Sequence, residues 1–118
     1  MSLRVLVVGL IPAAHALVNT LKTGLKGSDV VVNPTIPANF RPRRPPANVD
    51  VVVFAGHDKA TLGVASEMTA GPTRYIHVDD ETQLPADFNR GPFGGIFFAN
   101  KGDTATLIKE LSSLVAFA

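Results

Sequence analysis

Five short runs of apolar residues recur along the chain, and each run has the length of a β-strand. They cover Arg4 to Val8, Asp29 to Val32, Asp50 to Phe54, Thr73 to Val78 and Gly94 to Phe98. The runs are rich in valine, isoleucine and phenylalanine, alternate little with polar residues and are closed by Gly, Pro, Asn or Asp. This pattern is typical of strands that are buried on both faces of a parallel sheet. It predicts parallel strands joined by long crossovers.

Helical spacing of apolar side chains predicts three helices. The first covers residues 12–26, the second follows Asp58 and stops before Gly71, and the third covers residues 104–117, directly after Asp103. Proline is accepted in the first turn of a helix, and aspartate is a good capping residue. We therefore expect helical crossovers after the first and third strands and a helix at the end of the chain.

Prolines interrupt the other two connections. The connection between the second and third runs contains Pro34, Pro37, Pro42, Pro45 and Pro46, and the one after the fourth run contains Pro85, Gly91 and Pro92. Proline removes a backbone donor and disfavours helix at the preceding residue, so both crossovers should be short or irregular. Strands that alternate with crossovers predict an α/β fold, a five-stranded parallel sheet with the flavodoxin-like order 2-1-3-4-5.

Composition and charge narrow the class of protein. With 118 residues, the chain is expected to form a single domain over residues 1–118. A net charge of +1 draws it neither to nucleic acid nor to an anionic membrane, and the lack of cysteine excludes disulfides and thiolate chemistry. We expect a cytoplasmic protein. Residues 3–16 would also suit a signal peptide, but Arg4 to Gly9 is more typical of a buried strand that ends at a turn.

The strand ends resemble those of response-regulator receiver domains over nearly the whole chain. Residues 4–8 are similar to the family's first strand, and residues 49–54 are similar to its third. In the family, the first strand ends in an acidic pair that holds magnesium, and the third ends in the phosphorylated aspartate. Here Gly9 and Leu10 stand at the acidic pair, and Ala55 stands at the phosphoacceptor. The resemblance implies a pseudo-receiver that lacks both the phosphate acceptor and the metal ligands.

Three further positions of the family fall on Asp79, Phe98 and Lys101. Asp79 stands where the family has Ser or Thr, and Lys101 stands at the lysine of a Lys-Pro pair, followed here by Gly102. Phe98 aligns with the aromatic residue whose rotation reports phosphorylation. Asp79 and Lys101 either form an ion pair that holds the domain in one state or remain solvated loop charges.

One basic cluster lies among the prolines of the second crossover. Arg41, Arg43 and Arg44, hereafter the arginine cluster, are candidates for docking an anionic partner, because guanidinium groups bind carboxylate and phosphate through paired donors. The alternative is a solvated, irregular connection. Phe40 is the only aromatic residue beside the cluster, so sequence-specific binding of nucleic acid is poorly supported.

The histidines suggest two further sites, neither of which we expect. His57 beside Asp58 would permit acid–base chemistry, although Asp58 is better explained as a helix cap. His15, His57 and His77 fall in a predicted helix, a loop and a predicted strand with no zinc-ligand spacing, so we expect no metal.

These observations predict a phosphorylation-independent signalling domain rather than an enzyme, without a cofactor. We expect it to dimerise or bind a signalling protein through the face around the fifth strand and the last helix. The resemblance implies a two-component, phosphorelay context, and transcription regulation through an attached DNA-binding domain. The tail, residues 115–118, favours a domain cut from a longer regulator. The alternative is a flavin, cobalamin or nucleotide binding domain on the same flavodoxin-like fold.

Overall fold

The apolar runs lie side by side in a computed structural model that describes residues 3–44, 47–68, 72–78, 81–91, 93, 95–98 and 101–115. For residues 81, 97, 98 and 101 it describes the backbone alone. The strands are β1 (Leu3–Gly9), β2 (Val30–Thr35), β3 (Val51–Ala55), β4 (Thr73–Val78) and β5 (Gly95–Phe98). The helices are α1 (Ile11–Gly24), α2 (Lys59–Glu67) and α3 (Lys101–Val115), and 3₁₀ turns cover Pro37–Asn39 and Glu81–Gln83.

The strands pair in parallel in the order β2-β1-β3-β4-β5. The predicted α/β fold with a flavodoxin-like order is confirmed over β2-β1-β3-β4, and β5 lies beside β4 from Gly95 to Phe98. The chain leaves β1 toward β2 on one side and returns to β3 on the other side. This reversal opens a crevice at the carboxyl ends of β1 and β3, which is the usual ligand position in open α/β sheets.

Each face of the sheet is covered by its own apolar cluster. On one face, side chains such as Val5 and Val53 pack under α1 and α3. On the other face, side chains such as Phe54 and Ile76 pack under α2 and the two irregular crossovers. Successive residues of a strand point to opposite faces. The unbroken apolar run of β3 therefore contributes to both clusters and is buried along its whole length.

Aromatic side chains take the place of helices in the second and fourth crossovers. Within the described residues, these connections contain no α-helix, only the two 3₁₀ turns, as the prolines predict. The ring of Phe40 packs edge to face on buried Phe54 with 5.8 Å between centroids, and Phe93 packs on Phe54 from the other crossover at 6.2 Å. Phe88 stacks on Phe93 at 5.5 Å. Phe54 therefore anchors both irregular segments to the middle of the sheet.

The end of β2 and the start of α3 each differ by three residues from the sequence expectation. β2 continues to Thr35, although the sequence predicted its end at Val32. The reason is that β2 is an edge strand, where a proline such as Pro34 is tolerated. α3 begins at Lys101, so Asp103 lies in its first turn rather than before it. A carboxylate at this place is favourable, because the amino end of a helix carries partial positive charge.

The helices are short compared with a bilayer. α3 has 15 residues, which corresponds to about 22 Å. Among the described residues, no helix combines the length and the apolar character that crossing a membrane requires.

Candidate functional site

A cleft opens at the carboxyl edge of the sheet, between α1 and the first turns of α3. Its volume is about 380 Å³, near the lower end of the range for small-molecule pockets. Ala55 at the tip of β3 and His77 near the tip of β4 contribute to its floor. The walls include Ala13, Ala16 and Thr20 of α1 and Thr104 of α3. The cleft thus lies where the order of the strands reverses, and its walls are mainly apolar.

The loop between β3 and α2 is held in one conformation beside this cleft. Gly56 has a φ of +110°, which side chains other than glycine rarely adopt. Its N–H donates to the carbonyl oxygen of His77 at 2.8 Å. The Asp58 carboxylate accepts hydrogen bonds from the Thr61 N–H at 2.9 Å and from the Thr61 hydroxyl at 2.8 Å. The predicted capping role of Asp58 is confirmed, and these contacts fix exposed His57 at the rim of the cleft.

Ala55, which the sequence predicts at the phosphoacceptor position of a receiver, places a methyl group at the bottom of the cleft. Ala55 is 2% exposed and lies in register with Gly9 of β1 and His77 of β4. A Cβ atom on Gly9 would lie 2.5 Å from the carbonyl oxygen of Ala55 and 3.2 Å from its Cβ. Atoms at 2.5 Å overlap. Position 9 therefore has no room for an acidic side chain unless β1 and β3 move apart.

Carboxylates are scarce around the cleft. Among the described residues that line it, Asp58 alone carries a carboxylate, and the Oδ2 atom accepts both hydrogen bonds from Thr61. Leu10, predicted at the second acidic-pair position, lines the cleft, and its side chain has no oxygen ligand to offer. Magnesium requires several hard oxygen ligands. In the part of the chain that the structure describes, no group of three His, Asp or Glu side chains is placed to hold a metal ion.

The three histidines lie at two separate places. His57 and His77 line the cleft, whereas His15 lines a different pocket of about 250 Å³ together with Pro34 and Ile36. His15 therefore does not line the same pocket as the other two histidines. The Asp58 carboxylate binds Thr61 and not His57, so the described contacts do not form an acid–base pair from these neighbours.

Three predicted switch positions lie beyond what the structure describes. Asp79 falls outside the described residues. Phe98 ends β5 and Lys101 begins α3, but of both only the backbone is described. The ion pair between Asp79 and Lys101 therefore stays a prediction, as does the working face around β5 and α3.

The arginine cluster lies away from the cleft, in the second crossover. Arg41, Arg43 and Arg44 are exposed, and the Arg44 N–H closes a turn by donating to the Arg41 carbonyl at 3.0 Å. The cluster follows Phe40, whose ring is fixed against Phe54. None of the three arginines lines the cleft at the carboxyl edge. The sequence candidates thus fall at two surfaces rather than one.

Sequence reasoning missed the helical wall of the cleft. Ala13, Ala16 and Thr20 recur at spacings of three and four residues, a pattern of small side chains that could have indicated a groove along α1. It named Leu10 as an acidic-pair position but did not predict an exposed apolar pair at the start of α1, where Leu10 is 46% and Ile11 is 60% exposed. The sequence signal for this pair is a leucine at the position where helices usually have a polar capping residue. Leu10 occupies the N-cap of α1 and makes no side-chain hydrogen bond there.

The strand order and the position of the cleft define a flavodoxin-like α/β domain. No protein-family model matches the sequence, and no curated protein matches it. Among solved structures, the chain is similar to a pilus assembly protein (cpaE) from Burkholderia thailandensis. That likeness has a TM-score of 0.66 and 13% identity, over 94% of this chain and 98% of the other. A flavodoxin from the domain Archaea gives a TM-score of 0.48 and 12% identity, over 98% of this chain and 97% of the flavodoxin. At such identities, the likeness to the pilus assembly protein shows the fold alone.

Proposed function

We propose that this chain is a receiver-like protein-interaction domain that works without phosphotransfer. The observation that carries the proposal is the close fit of Gly9 against Ala55 at the bottom of the cleft. A methyl group has no oxygen to accept phosphate, and the backbone oxygen of Ala55 fills the space that a side chain at position 9 needs. A cleft of this construction supports a role in binding rather than in phosphoryl chemistry.

The surface around the cleft supports contact with another protein. Leu10 and Ile11 expose two large apolar side chains at the start of α1, where Leu10 lines the cleft and Ile11 lines the neighbouring pocket that contains His15. Paired apolar groups of this size at one edge are typical of a contact surface when they adjoin a concave site. The outer side of α3, with exposed Lys109 and Ser113, is polar instead. Contacts through α3 would therefore consist of hydrogen bonds and ion pairs, and apolar contacts would concentrate at α1.

The proposal is tested by incubating the chain with acetyl phosphate and magnesium and measuring its intact mass. We expect no added phosphoryl group. An Ala55→Asp variant supplies the acceptor alone and should also stay unmodified, because the metal ligands are still missing. A labile phosphoryl adduct on the natural chain would overturn the proposal. An adduct on the variant alone would show that the other residues suffice to hold magnesium.

A second candidate function is the binding of a small molecule in the cleft, such as a flavin, cobalamin or nucleotide. The observation that favours it is the cleft itself, about 380 Å³ in volume, with Thr20, His77 and Thr104 as polar groups among apolar walls. Equilibrium dialysis against FMN, cobalamin and AMP tests it. Saturable uptake that an Ala13→Phe variant abolishes would support this function, and no uptake of any of the three would exclude these ligands.

A further inference from the structure

The second crossover leaves one face of β1 and β2 without a covering helix. On the side of α1, Val32 is 3% exposed. On the opposite side, Val31 is 45% exposed, and its register partner Arg4 is exposed too. The next pair along the strands consists of half-buried Leu6 and exposed Asn33. Arg4, Leu6, Val31 and Asn33 form what we call the β1–β2 patch. It lies where a crossover helix packs in a regular doubly wound sheet.

The segment that replaces this helix is anchored on the same face at both ends. At its start, Phe40 packs on Phe54. At its end, the Asp50 N–H donates to the Arg4 carbonyl at 2.9 Å, and the Asp50 carboxylate accepts from the Arg4 N–H at 2.8 Å. Val49 packs against the apolar cluster of this face. The arginine cluster lies between these two anchors in the chain, on the segment that takes the place of the crossover helix.

The charge around the patch is positive. Arg4 is exposed within the patch, and the arginine cluster exposes three more guanidinium groups on the segment that is anchored to the same face. Asp50 is the only acidic residue between positions 30 and 57, and its carboxylate is bound to the backbone of Arg4. Among the described residues, the arginine cluster makes no ion pair. All three arginines are exposed, and guanidinium groups bind carboxylates through paired N–H donors.

We infer that the β1–β2 patch and the arginine cluster dock an acidic amphipathic helix of a protein partner. The apolar side of that helix covers Val31 and Leu6 in place of the absent crossover helix, and its carboxylates meet the arginines. Nucleic acid fits this surface less well. Phe40 is only 4% exposed, and the patch offers no aromatic ring on which a base could stack. The inference rests on the proposed interaction role and adds the chemistry of the partner.

The test uses a fluorescent synthetic helix of about 18 residues, with leucine on one face and glutamate on the other. Titrated with the full chain, it should show saturable binding by fluorescence anisotropy, weakened by salt. In the ¹⁵N-labelled chain, the amides of Leu6, Val31 and Asn33 should shift, and those of Ala55 and Gly56 in the cleft should not. An otherwise identical helix with lysine in place of glutamate should not bind.

Two charge-reversal variants make a matched pair. One variant combines Arg41→Glu, Arg43→Glu and Arg44→Glu. Each exposed ion pair contributes modestly, and the loss of three together should weaken binding by about tenfold or more. Lys22→Glu, Lys26→Glu and Lys109→Glu together make the same charge change away from the patch, because α1 and α3 cover the other face. This second variant should change the affinity by less than about twofold. Thermal unfolding of both variants checks that they fold.

Several outcomes overturn the inference. They are absence of saturable binding, equal binding of the lysine helix, and unchanged affinity of the arginine variant. Shifts of the same amides when the chain alone is concentrated would assign the patch to a second copy. Tighter binding of a single-stranded oligonucleotide would assign it to nucleic acid. The proposed function fails if the natural chain gains a phosphoryl group from acetyl phosphate. None of the binding results above bears on that measurement, so failure of this inference and failure of the proposed function are distinguishable.

Discussion

Replacing Gly9 with alanine should destabilise the domain, whereas the same replacement at Gly63 should stabilise it. At Gly9, the new Cβ would lie 2.5 Å from the carbonyl oxygen of Ala55, which belongs to the backbone and cannot rotate away. At Gly63, an exposed position within α2, a new Cβ meets nothing within 4 Å. The two substitutions remove the same conformational freedom from the unfolded chain. Their difference therefore isolates the steric contact at the end of β1.

The magnitude follows from the distances. An ordinary contact begins at 3.4 Å, so the ends of β1 and β3 must separate by about 0.9 Å. Overpacking of this kind costs about 1–3 kcal/mol, and the lower entropy of the unfolded alanine chain offsets about 0.4–1 kcal/mol. The net loss at Gly9 should be about 1–2 kcal/mol. Alanine at Gly63 should add about 0.5–1 kcal/mol, because glycine is unfavourable inside a helix.

Urea unfolding followed by circular dichroism measures both changes. With a slope of about 2 kcal/mol per molar urea, the midpoint should fall by about 0.5–1 M for Gly9→Ala and rise slightly for Gly63→Ala. A Gly9→Ala variant as stable as the natural chain would refute the reasoning. It would mean that the end of β1 accepts a side chain, and that the contact with Ala55 does not exclude an acidic residue at position 9.

Three further predictions concern the rest of the molecule. Phe54→Leu should cost about 2 kcal/mol of unfolding free energy in urea, since it removes both edge-to-face ring pairs. It should also speed amide hydrogen exchange in the two irregular crossovers. The control Val53→Ala, on the opposite face of the sheet, should destabilise the domain without speeding exchange there. Asp58→Ala should cost about 1 kcal/mol through loss of the α2 cap, while Asp58→Asn should cost much less, and equal losses would contradict the capping role. Burial, followed by the charge and hydrogen bond of Glu110, raises the pKa of Tyr75 above its ordinary value of 10.0. The unfolded chain then loses the phenolic proton of Tyr75 at a lower pH than the folded chain, so the free energy of unfolding should decline as pH rises above about 10. It should decline less in Glu110→Gln. Ultraviolet absorbance reports the pKa of Tyr75 directly, because the sequence contains no other tyrosine.

The sequence predicts the order of the elements well where the signal is local. The unbroken apolar run of β3 indicates a central strand, Asp58 indicates the start of α2, and the prolines indicate irregular crossovers. The end of β2 was predicted too early, because Pro34 stops a central strand but not an edge strand. Which strand lies at the edge depends on the order of the whole sheet and is not visible in a short run of residues.

The candidate site was predictable in position but not in shape. The strand ends place Gly9 and Ala55 at the carboxyl edge, and the structure brings them together. Their close fit depends on the register between β1 and β3, which sequence pattern alone does not determine. The cleft depends on how far apart α1 and α3 lie, and the packing of Ile108 on Gly24 brings them together at one end. Such long-range contacts, like those of Phe54 with both crossovers, leave no local pattern in the sequence.

Titration of the ¹⁵N-labelled chain with magnesium tests the central claim most directly. Ala55 and Gly56 line the cleft, and Gly9 is the register partner of Ala55; the resemblance to receivers predicts the metal position beside these amides. The account predicts that these amides do not shift at millimolar magnesium, since the described cleft offers no free set of carboxylates. A saturable shift confined to these amides would show that the cleft binds magnesium and would contradict the account.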